Sequence, residues 1–422
     1  MITVVIFLIA LLAYYTIGVR FQSAILTVLS LYAYWQVAQW NIVIIGGVTL
    51  VSFLFCKLLV KQQRKLYVVL PILIIIASFI LLRERISGWS LPLGFSVLSF
   101  TSISLMVNQY RAPKKYHTFD ILSYLLFFPK IFAGPIERVS NFISGTPLKF
   151  NGSVFYTGIK YLIFASFVKF VMGDWFGRTE MSAYGVNQIA NVFVFALGFF
   201  FDFWGYTLMA IGVGKLFGYN LSISFNSPYE SHTLQEFWHR WNITLGTWLR
   251  DYIYIPLGGN RNSTIKWIVV VMLVFLLSGL WHGSTLPFIL WGLCHGVLLC
   301  VESKIIKPER LNMFGTTSYR IVVMALVALL WQLFLIDSAE AIIPQIHSLF
   351  IYEPLAPTII CKLGICLLGM FLLTSDKAMG ILNGQQSETK AIVVEISVLS
   401  LMLVSLLLLN CPVSFNFFYF RF

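Results

Sequence analysis

The clearest candidate for catalysis is a histidine at the end of an apolar run, where Leu277–Gly283 reads LSGLWHG. His282 follows Trp281, and imidazole is the side chain that most often acts as a general base near neutral pH. In a dry pocket it would take a proton from an acceptor hydroxyl that attacks a thioester. The alternative is a buried histidine that only bonds to the backbone, and His295 in the next apolar segment favours that alternative more strongly.

A second group of polar side chains occupies the segment 236–251. A serine or threonine just before it can cap a helix, and residues at i, i+3 and i+4 would then share one face. The polar side chains of this predicted helix are Glu236, His239, Arg240, Asn242, Arg250 and Asp251. Pro256 and Gly258–Gly259 are predicted to end it. The alternative interpretation is an amphipathic helix lying in the membrane interface, with Trp241 and Trp248 as anchors.

A third candidate is the tail Phe415–Phe422, FNFFYFRF, in which aromatic rings surround Tyr419. A tyrosine hydroxyl can serve as a covalent nucleophile. Aromatic residues just beyond a membrane span also form interfacial belts, and the residues alone do not choose between the two roles.

The segments that must position these residues are strongly apolar. Hydrophobic residues make up 59% of the 422 positions and charged residues 11%, whereas about 25% is usual for soluble domains. Nearly uncharged runs approach the length of a membrane span; they are Met1–Val19, Leu66–Leu82, Trp267–Leu280, Ile321–Ile336 and Ala391–Leu409. We therefore predict an all-α integral membrane protein of about 10–12 transmembrane helices, forming a single polytopic domain over residues 1–422.

Two stretches, Phe128–Phe142 and Phe225–Arg261, are too polar for ordinary spans and too aromatic for plain loops. Polar backbone at membrane depth is tolerated only inside protein or along a wet cavity. We expect re-entrant or interfacial helices there, around a central channel.

The net charge of +12 comes largely from basic residues in short loops, such as Lys57–Lys65, Arg111–Lys115 and Lys304–Arg310. Such loops stay cytoplasmic, so both termini are predicted outside and lipid, rather than nucleic acid, is the expected partner. The six cysteines show no metal or disulfide spacing, and no metal site is predicted.

Taken together, these segments resemble the membrane-bound O-acyltransferase (MBOAT) family, and within it the bacterial alginate O-acetyltransferase-like branch. The matching runs follow in the family's order; they are LPLGFS at Leu91–Ser96, FFPKIFAGPIER at Phe127–Arg138, FDFWGYTLMAIGVGKLFGY at Phe201–Tyr219, FNSPY at Phe225–Tyr229, EFWHRWNITLGTWLRDYIYIPLGGNR at Glu236–Arg261, and LSGLWHGSTLPFILWGLCHG at Leu277–Gly296. The tail Phe418–Phe422 resembles the family's terminal aromatic-tyrosine motif.

The resemblance implies that His282 is the catalytic histidine, that Asn242 takes the second signature position and that Tyr419 carries the acyl group. The remaining predicted substrate- or channel-binding residues are Glu236, His239, Arg240, Arg250, Asp251 and Trp281. No bound cofactor is implied; acetyl-CoA is the expected donor. The expected partners are an extracytoplasmic esterase-like acyltransferase and, indirectly, an exported glycan. The implied location is the bacterial cytoplasmic (inner) membrane, with multiple passes.

The sequence departs from its branch in two places. Asn242 stands where bacterial members usually carry histidine, and asparagine cannot act as a base, so an oxyanion or acceptor hydrogen bond is its expected role. Trp331–Ser338, WQLFLIDS, replaces a Phe-Phe-Arg-Ala run.

Three alternative functions are open at the level of the sequence. A D-alanyl transfer protein for teichoic acid would share the fold, although IPLGGNR at Ile255–Arg261 favours the acetyl branch. A transporter or flippase should show two related halves with matching broken helices, and the polar segments at Phe128 and Phe225 are dissimilar. An inactive scaffold is the third, and the departure at Asn242 keeps it open.

Overall fold

The computed structural model describes residues 2–83, 91–130, 134–143, 149–178, 184–261, 263–306, 313–336, 338–383 and 389–408. Helix is the only regular secondary structure in these ranges, which confirms the all-α prediction. In chain order the helices are α1 Ile2–Thr16, α2 Gln22–Ala38, α3 Ile42–Lys61, α4 Leu66–Arg83, α5 Phe95–Arg111, α6 Thr118–Leu126, α7 Val139–Phe142, α8 Gly152–Ser166, α9 Gly185–Leu216, α10 Leu234–Arg240, α11 Ile243–Leu249, α12 Thr264–His282, α13 Leu286–Val301, α14 Met313–Trp331, α15 Ile342–Ser348, α16 Pro357–Leu373, α17 Asp376–Asn383 and α18 Thr389–Leu408.

Among the described residues, seven helical stretches are long and apolar enough to cross a membrane. They are Gln39–Lys61, Leu66–Arg83, Gly152–Phe176, Gly185–Leu216, Thr264–His282, Leu286–Lys304 and Gly315–Leu335. Three shorter apolar helices add to them: Val5–Thr16, Pro357–Leu373 and Val394–Leu408. Each of the five apolar runs of the sequence coincides with one of these ten stretches, and the prediction of a multi-pass membrane protein is confirmed.

The chain divides into two compact units. The first contains Met1–Leu162 and Tyr206–Ile223, and the second contains Ile163–Gly205 and Ser224–Phe422. Both catalytic candidates that the structure describes, His282 and Asn242, belong to the second unit. The prediction of one domain over residues 1–422 stays a prediction.

Within the second unit, the π-helix Phe167–Phe176 packs closely against α9. A Cβ atom on Gly205 would lie 2.7 Å from the Cβ of Lys169, and one on Gly173 would lie 2.9 Å from the backbone nitrogen of Asp202. The glycines therefore permit backbone-to-backbone contact. The buried Lys169 amine bonds there to the carboxylates of Asp174 at 2.7 Å and Asp202 at 2.5 Å, which offsets the cost of removing these charges from water.

The first polar stretch begins with the 3-10 helix Phe128–Lys130 and ends with α7, and residues 134–138 between them are irregular backbone, mostly buried in the first unit. The Lys130 amine is buried, donates to the carbonyl of Tyr124 at 2.7 Å and lies over that residue's ring. Glu137 accepts from the backbone N–H and the hydroxyl of Ser222. The side chains of Lys130 and Glu137 thus bond to neighbouring groups of the protein, as expected for a polar stretch at membrane depth.

Candidate active site

His282 is the last residue of α12, at the tight turn that joins α12 to α13. A Cβ atom on Gly283 would lie 1.9 Å from the Phe288 ring, and one on Gly279 would lie 2.4 Å from the Phe288 carbonyl oxygen. Only glycine fits at either position, so the GLWHG sequence lets the two helices meet at their backbones. This close packing holds His282 at the end of a rigid hairpin.

The imidazole of His282 is half-buried among aromatic rings. Its ring centroid lies 4.9 Å from that of Phe334, 5.1 Å from that of Trp291 and 4.6 Å from that of Trp281. The first two rings meet it edge to face, which restricts the orientation of the imidazole. These neighbours make the surroundings of the imidazole largely aromatic.

The polar segment 236–251, expected to be one helix, is divided between the short helices α10 and α11. Thr233 caps α10, with its hydroxyl accepting from the Glu236 N–H at 3.0 Å. α10 ends at Arg240, and α11 begins after Asn242, whose backbone is left-handed with φ 41° and ψ 53°. Asparagine adopts this conformation more readily than most residues. The expected continuous helix is therefore wrong, because Asn242 turns the chain between its two halves.

The α10–α11 corner is fixed by backbone bonds and by a buried tryptophan. The Asn226 N–H donates to the Arg240 carbonyl at 3.0 Å, and the Ile243 N–H donates to the Ser224 carbonyl at 2.8 Å. Trp241 is only 4% exposed. Trp241 and Trp248 both lie inside the protein, so they are not the interfacial anchors of the alternative interpretation.

A cavity of about 650 Å³ in the second unit brings the two catalytic candidates together. Its polar lining includes Asn242, His282, His239 and Arg250. Its apolar lining is rich in aromatic rings: Phe199, Phe203, Trp238, Trp241, Trp267, Phe275, Trp291 and Trp331. A cavity that combines a few polar groups with an apolar wall is typical of a small-molecule site.

The other predicted site residues are divided between the cavity and its surroundings. Glu236 and Arg240 form an i,i+4 ion pair at 2.7 Å, each about one-third exposed, and neither is among the described residues that line the cavity. Asp251 pairs with the exposed side chain of Arg250 at 3.0 Å, and Asp251 is not among the described lining residues. Trp281 packs on the His282 ring and likewise does not line the cavity. Their roles in binding stay predictions.

The predictions for His295 and Tyr419 have different outcomes. His295 is fully buried on α13, with its ring centroid 4.8 Å from that of Trp238 and 5.0 Å from that of Trp291. His295 is therefore buried as the sequence favoured, but neither ring nitrogen bonds to another described residue, so the expected bond to the backbone is wrong. Tyr419 lies outside the described residues, so its proposed role as acyl carrier stays a prediction. Within the described ranges, no three His, Cys, Asp or Glu side chains are grouped as metal ligands.

Sequence reasoning did not single out the tryptophans that form the aromatic wall of the cavity. Trp238, Trp291 and Trp331 come from three different helices, and nothing in their local spacing shows that they meet. Glu302 was also missed, although it bonds to the first turn of α10. An isolated carboxylate next to an apolar run was the one available signal, since such groups rarely occur there without a partner.

Comparison with known proteins places this site in a family. The sequence profile of MBOAT, the membrane-bound O-acyltransferase family, matches residues 6–339. A probable alginate O-acetylase AlgI of Pseudomonas aeruginosa is 35% identical over 238 residues, 54% of this chain and 46% of the relative. A peptidoglycan O-acetyltransferase of Helicobacter pylori is 36% identical over 237 residues, 52% of this chain and 42% of the relative.

A teichoic acid D-alanyltransferase of Bacillus subtilis is 30% identical over 228 residues, 49% of this chain and 58% of the relative. The chain therefore spans about half the length of the curated relatives it matches. The family profile, in contrast, extends over most of the 422 residues and includes both Asn242 and His282. On that match the chain belongs to the membrane-bound O-acyltransferase family.

Proposed function

We propose that this protein transfers an acyl group, most simply acetyl, from a cytoplasmic thioester donor across the membrane for the O-acetylation of an exported or cell-wall glycan. The observation that carries the proposal is that His282, at the end of α12, and Asn242, between α10 and α11, line one cavity although they are 40 positions apart. The alginate and peptidoglycan O-acetylating relatives support acetyl as the acyl group.

In the proposed reaction, an acceptor hydroxyl attacks the carbonyl carbon of the thioester while the His282 imidazole takes the hydroxyl proton. The carbonyl oxygen becomes an oxyanion, to which the Asn242 side-chain amide donates a hydrogen bond. The carbon–sulfur bond then breaks, and the imidazolium returns the proton to the sulfur. The products are an oxygen ester and a free thiol, so no external acid, base or redox partner is required.

The acceptor is proposed to be the hydroxyl of Tyr419 or of a carrier substrate that enters from outside. Acetyl-CoA is the proposed donor, and Arg250 at the cavity is suited to contact its phosphates. The acyl group would leave toward an extracytoplasmic esterase-like acyltransferase, which would acylate the glycan. This direction of transfer requires location in the bacterial cytoplasmic membrane.

D-alanyl transfer to teichoic acid is the second candidate, because a D-alanyltransferase is among the relatives. The two functions differ in the donor. Acetyl-CoA carries the acyl group on a soluble nucleotide thioester, whereas the alternative requires a D-alanyl thioester.

The test uses inside-out membrane vesicles that contain the full chain and its acceptor partner, supplied with labelled acetyl-CoA or labelled D-alanyl thioester. We expect oxygen-linked label only from acetyl-CoA, and only when the protein is present. Label from the D-alanyl donor alone would select the second candidate, and no label from either donor would refute acyl transfer.

A further inference from the structure

A buried carboxylate lies directly behind the wall of the cavity. Glu302, which follows the last residue of α13, is 2% exposed. Its Oε1 accepts from the Leu234 N–H at 2.6 Å and from the Tyr319 hydroxyl at 2.7 Å, and its Oε2 accepts from the Gln235 N–H at 2.8 Å. Hydrogen bonds to an ionised acceptor are roughly twice as strong as neutral ones, and three of them offset the cost of burying the charge.

Two of these donors are the opening residues of α10. The first N–H groups of a helix have no partner within the helix and must be satisfied from outside. Glu302 accepts from the first two residues, Leu234 and Gln235, and Thr233 accepts from the third, Glu236. A helix of seven residues is too short to be stable alone, so its position depends on such external bonds.

The bonds of Glu302 join the three helices that form one side of the cavity. α10 provides Trp238 and leads to Asn242; α13 provides Trp291; α14, which carries Tyr319, provides Trp331. Gln235 and Ser303 line the cavity on either side of the carboxylate, whereas Glu302 itself is not in the lining. The carboxylate, which directly follows α13, thus bonds to α10 and α14 from a position outside the cavity lining.

We propose that Glu302 is a positioning residue, which holds α10 against α13 and α14 so that Asn242 stays at its place in the cavity. The proposal rests on the proposed acyl transfer for its kinetic consequences. Its structural consequence, a tethered first turn of α10, is independent of any activity.

The test compares Glu302→Gln with Glu353→Gln. Glutamine keeps the size of the side chain but places an amide, with only one acceptor oxygen, against two backbone N–H groups and a hydroxyl. Glu353, which is more exposed than Glu302, is a control for the loss of carboxylate hydrogen bonds elsewhere, because it accepts from the backbone N–H of Tyr184 at 2.8 Å and from the Asn187 amide at 2.9 Å. None of these three control residues lines the cavity.

Hydrogen exchange of the full chain in detergent gives the readout that needs no activity. Amides of the peptide that contains Leu234 and Gln235 should exchange at least about tenfold faster in Glu302→Gln than in the wild type, because a tenfold change corresponds to losing about one hydrogen bond of typical strength. Exchange there should be unchanged in Glu353→Gln. Equal protection of this peptide in all three proteins would overturn the proposal, even if acyl transfer itself were refuted.

Steady-state kinetics with acetyl-CoA then separate positioning from general stability. At matched amounts of folded protein, kcat should fall about tenfold or more in Glu302→Gln while the donor KM changes by less than about twofold, as expected for an interaction made in the transition state. The double variant Glu302→Gln/Asn242→Gly should be no slower than Asn242→Gly alone, because both changes remove the same contribution. If the fold-losses in kcat of the two single variants instead multiply in the double variant, Glu302 does not act through Asn242.

Tyr319→Phe gives a milder change if Glu302→Gln does not accumulate. It removes one donor to the carboxylate and leaves both bonds to α10. A loss in kcat of about two- to fivefold is expected, the equivalent of a hydrogen bond of about 0.5–1 kcal/mol. Wild-type kcat together with wild-type exchange in this variant would overturn the proposal.

Discussion

At the scale of single residues, the proposed chemistry depends first on the basicity of His282. His282→Gln keeps the approximate size and a hydrogen-bonding group but cannot accept a proton, so transfer should fall by about 10²–10⁴-fold. The imidazole is only half-buried against the rings of Phe334 and Trp291. The amount of inserted protein should therefore stay at the wild-type level. Labelled acyl transfer in vesicles, normalised to the amount of inserted protein, measures the effect. Wild-type transfer would end the assignment of His282 as the base.

Asn242 has two separable roles, one in its side chain and one in its left-handed backbone. Asn242→Ala loses the amide and also strains the backbone, by about 1–2 kcal/mol, so a loss of activity in that variant would not identify the cause. Asn242→Gly tolerates φ 41° and removes only the amide. We expect transfer to fall about 10²–10³-fold in the glycine variant, the usual effect of losing one oxyanion donor.

Asn242→His is compared with Asn242→Gly, since histidine also occurs in left-handed backbone and its ring has an N–H donor. It should keep a measurable part of the activity, above that of Asn242→Gly. Equal transfer rates in Asn242→Gly and the wild type would show that Asn242 serves only to turn the chain.

At the scale of helices, the glycine contact between α12 and α13 should control the position of the imidazole. Gly283→Ala places a Cβ atom 1.9 Å from the Phe288 ring, so this ring, whose centroid lies 6.4 Å from that of His282, must shift. Overpacking of this kind costs about 1–3 kcal/mol and should reduce transfer more than tenfold. The backbone of Gly283 is extended, φ −170°, and alanine adopts it without strain.

Gly364→Ala in α16 is the matched control, because nothing lies within 4 Å of the added Cβ atom. Thermal unfolding in detergent and acyl transfer in vesicles are measured for both variants. The control should match the wild type in both. Normal transfer by Gly283→Ala would mean that the hairpin can open without moving His282.

Periodicity and capping rules predicted many of the helices and one helix start from the sequence. The predictions that failed have identifiable causes. The apolar runs gave the spans, and a cap before residue 236 was expected where Thr233 provides one. The break at Trp241 and Asn242 was not expected, because polar spacing continues across it. α10 ends where the backbone of Trp241 is extended and that of Asn242 is left-handed. Glu302 could not be assigned a partner, because α10 lies almost 70 positions earlier and local patterns do not report long-range bonds.

At the scale of the whole molecule, the direction of transfer depends on membrane orientation. The basic loops predict Lys61 inside and both termini outside. By the same alternation, the segment between α14 and α16 should lie outside, and Ile343 within it is 77% exposed. In a protein whose six cysteines have been replaced, an impermeant thiol reagent added from the periplasmic side should label Ile343→Cys and Phe422→Cys but not Lys61→Cys. The reverse pattern would invert the proposed relay.

The relay across the membrane places the strongest demand on Tyr419. It follows Pro412 by only a few residues, too few to span the bilayer again, so the ring is expected to stay near the outer interface or to fold back into the protein. A phenol, with an ordinary pKa of about 10, is a better leaving group than a sugar hydroxyl. An acyl-tyrosine is thus an energetically reasonable intermediate between a thioester and a sugar ester.

Tyr419→Phe separates a carrier from a membrane anchor, because it keeps the ring and removes only the hydroxyl. Tyr352→Phe is the control, since Tyr352 is 89% exposed and belongs to no predicted site. A carrier should lose glycan acylation in the first variant alone, and mass spectrometry of the wild type should find the acyl group on the peptide that contains Tyr419. The anchor role instead predicts normal acylation in both variants and an unmodified peptide. In that case the acyl group must pass directly from the donor to an external acceptor, and the cavity that contains His282 would have to admit both.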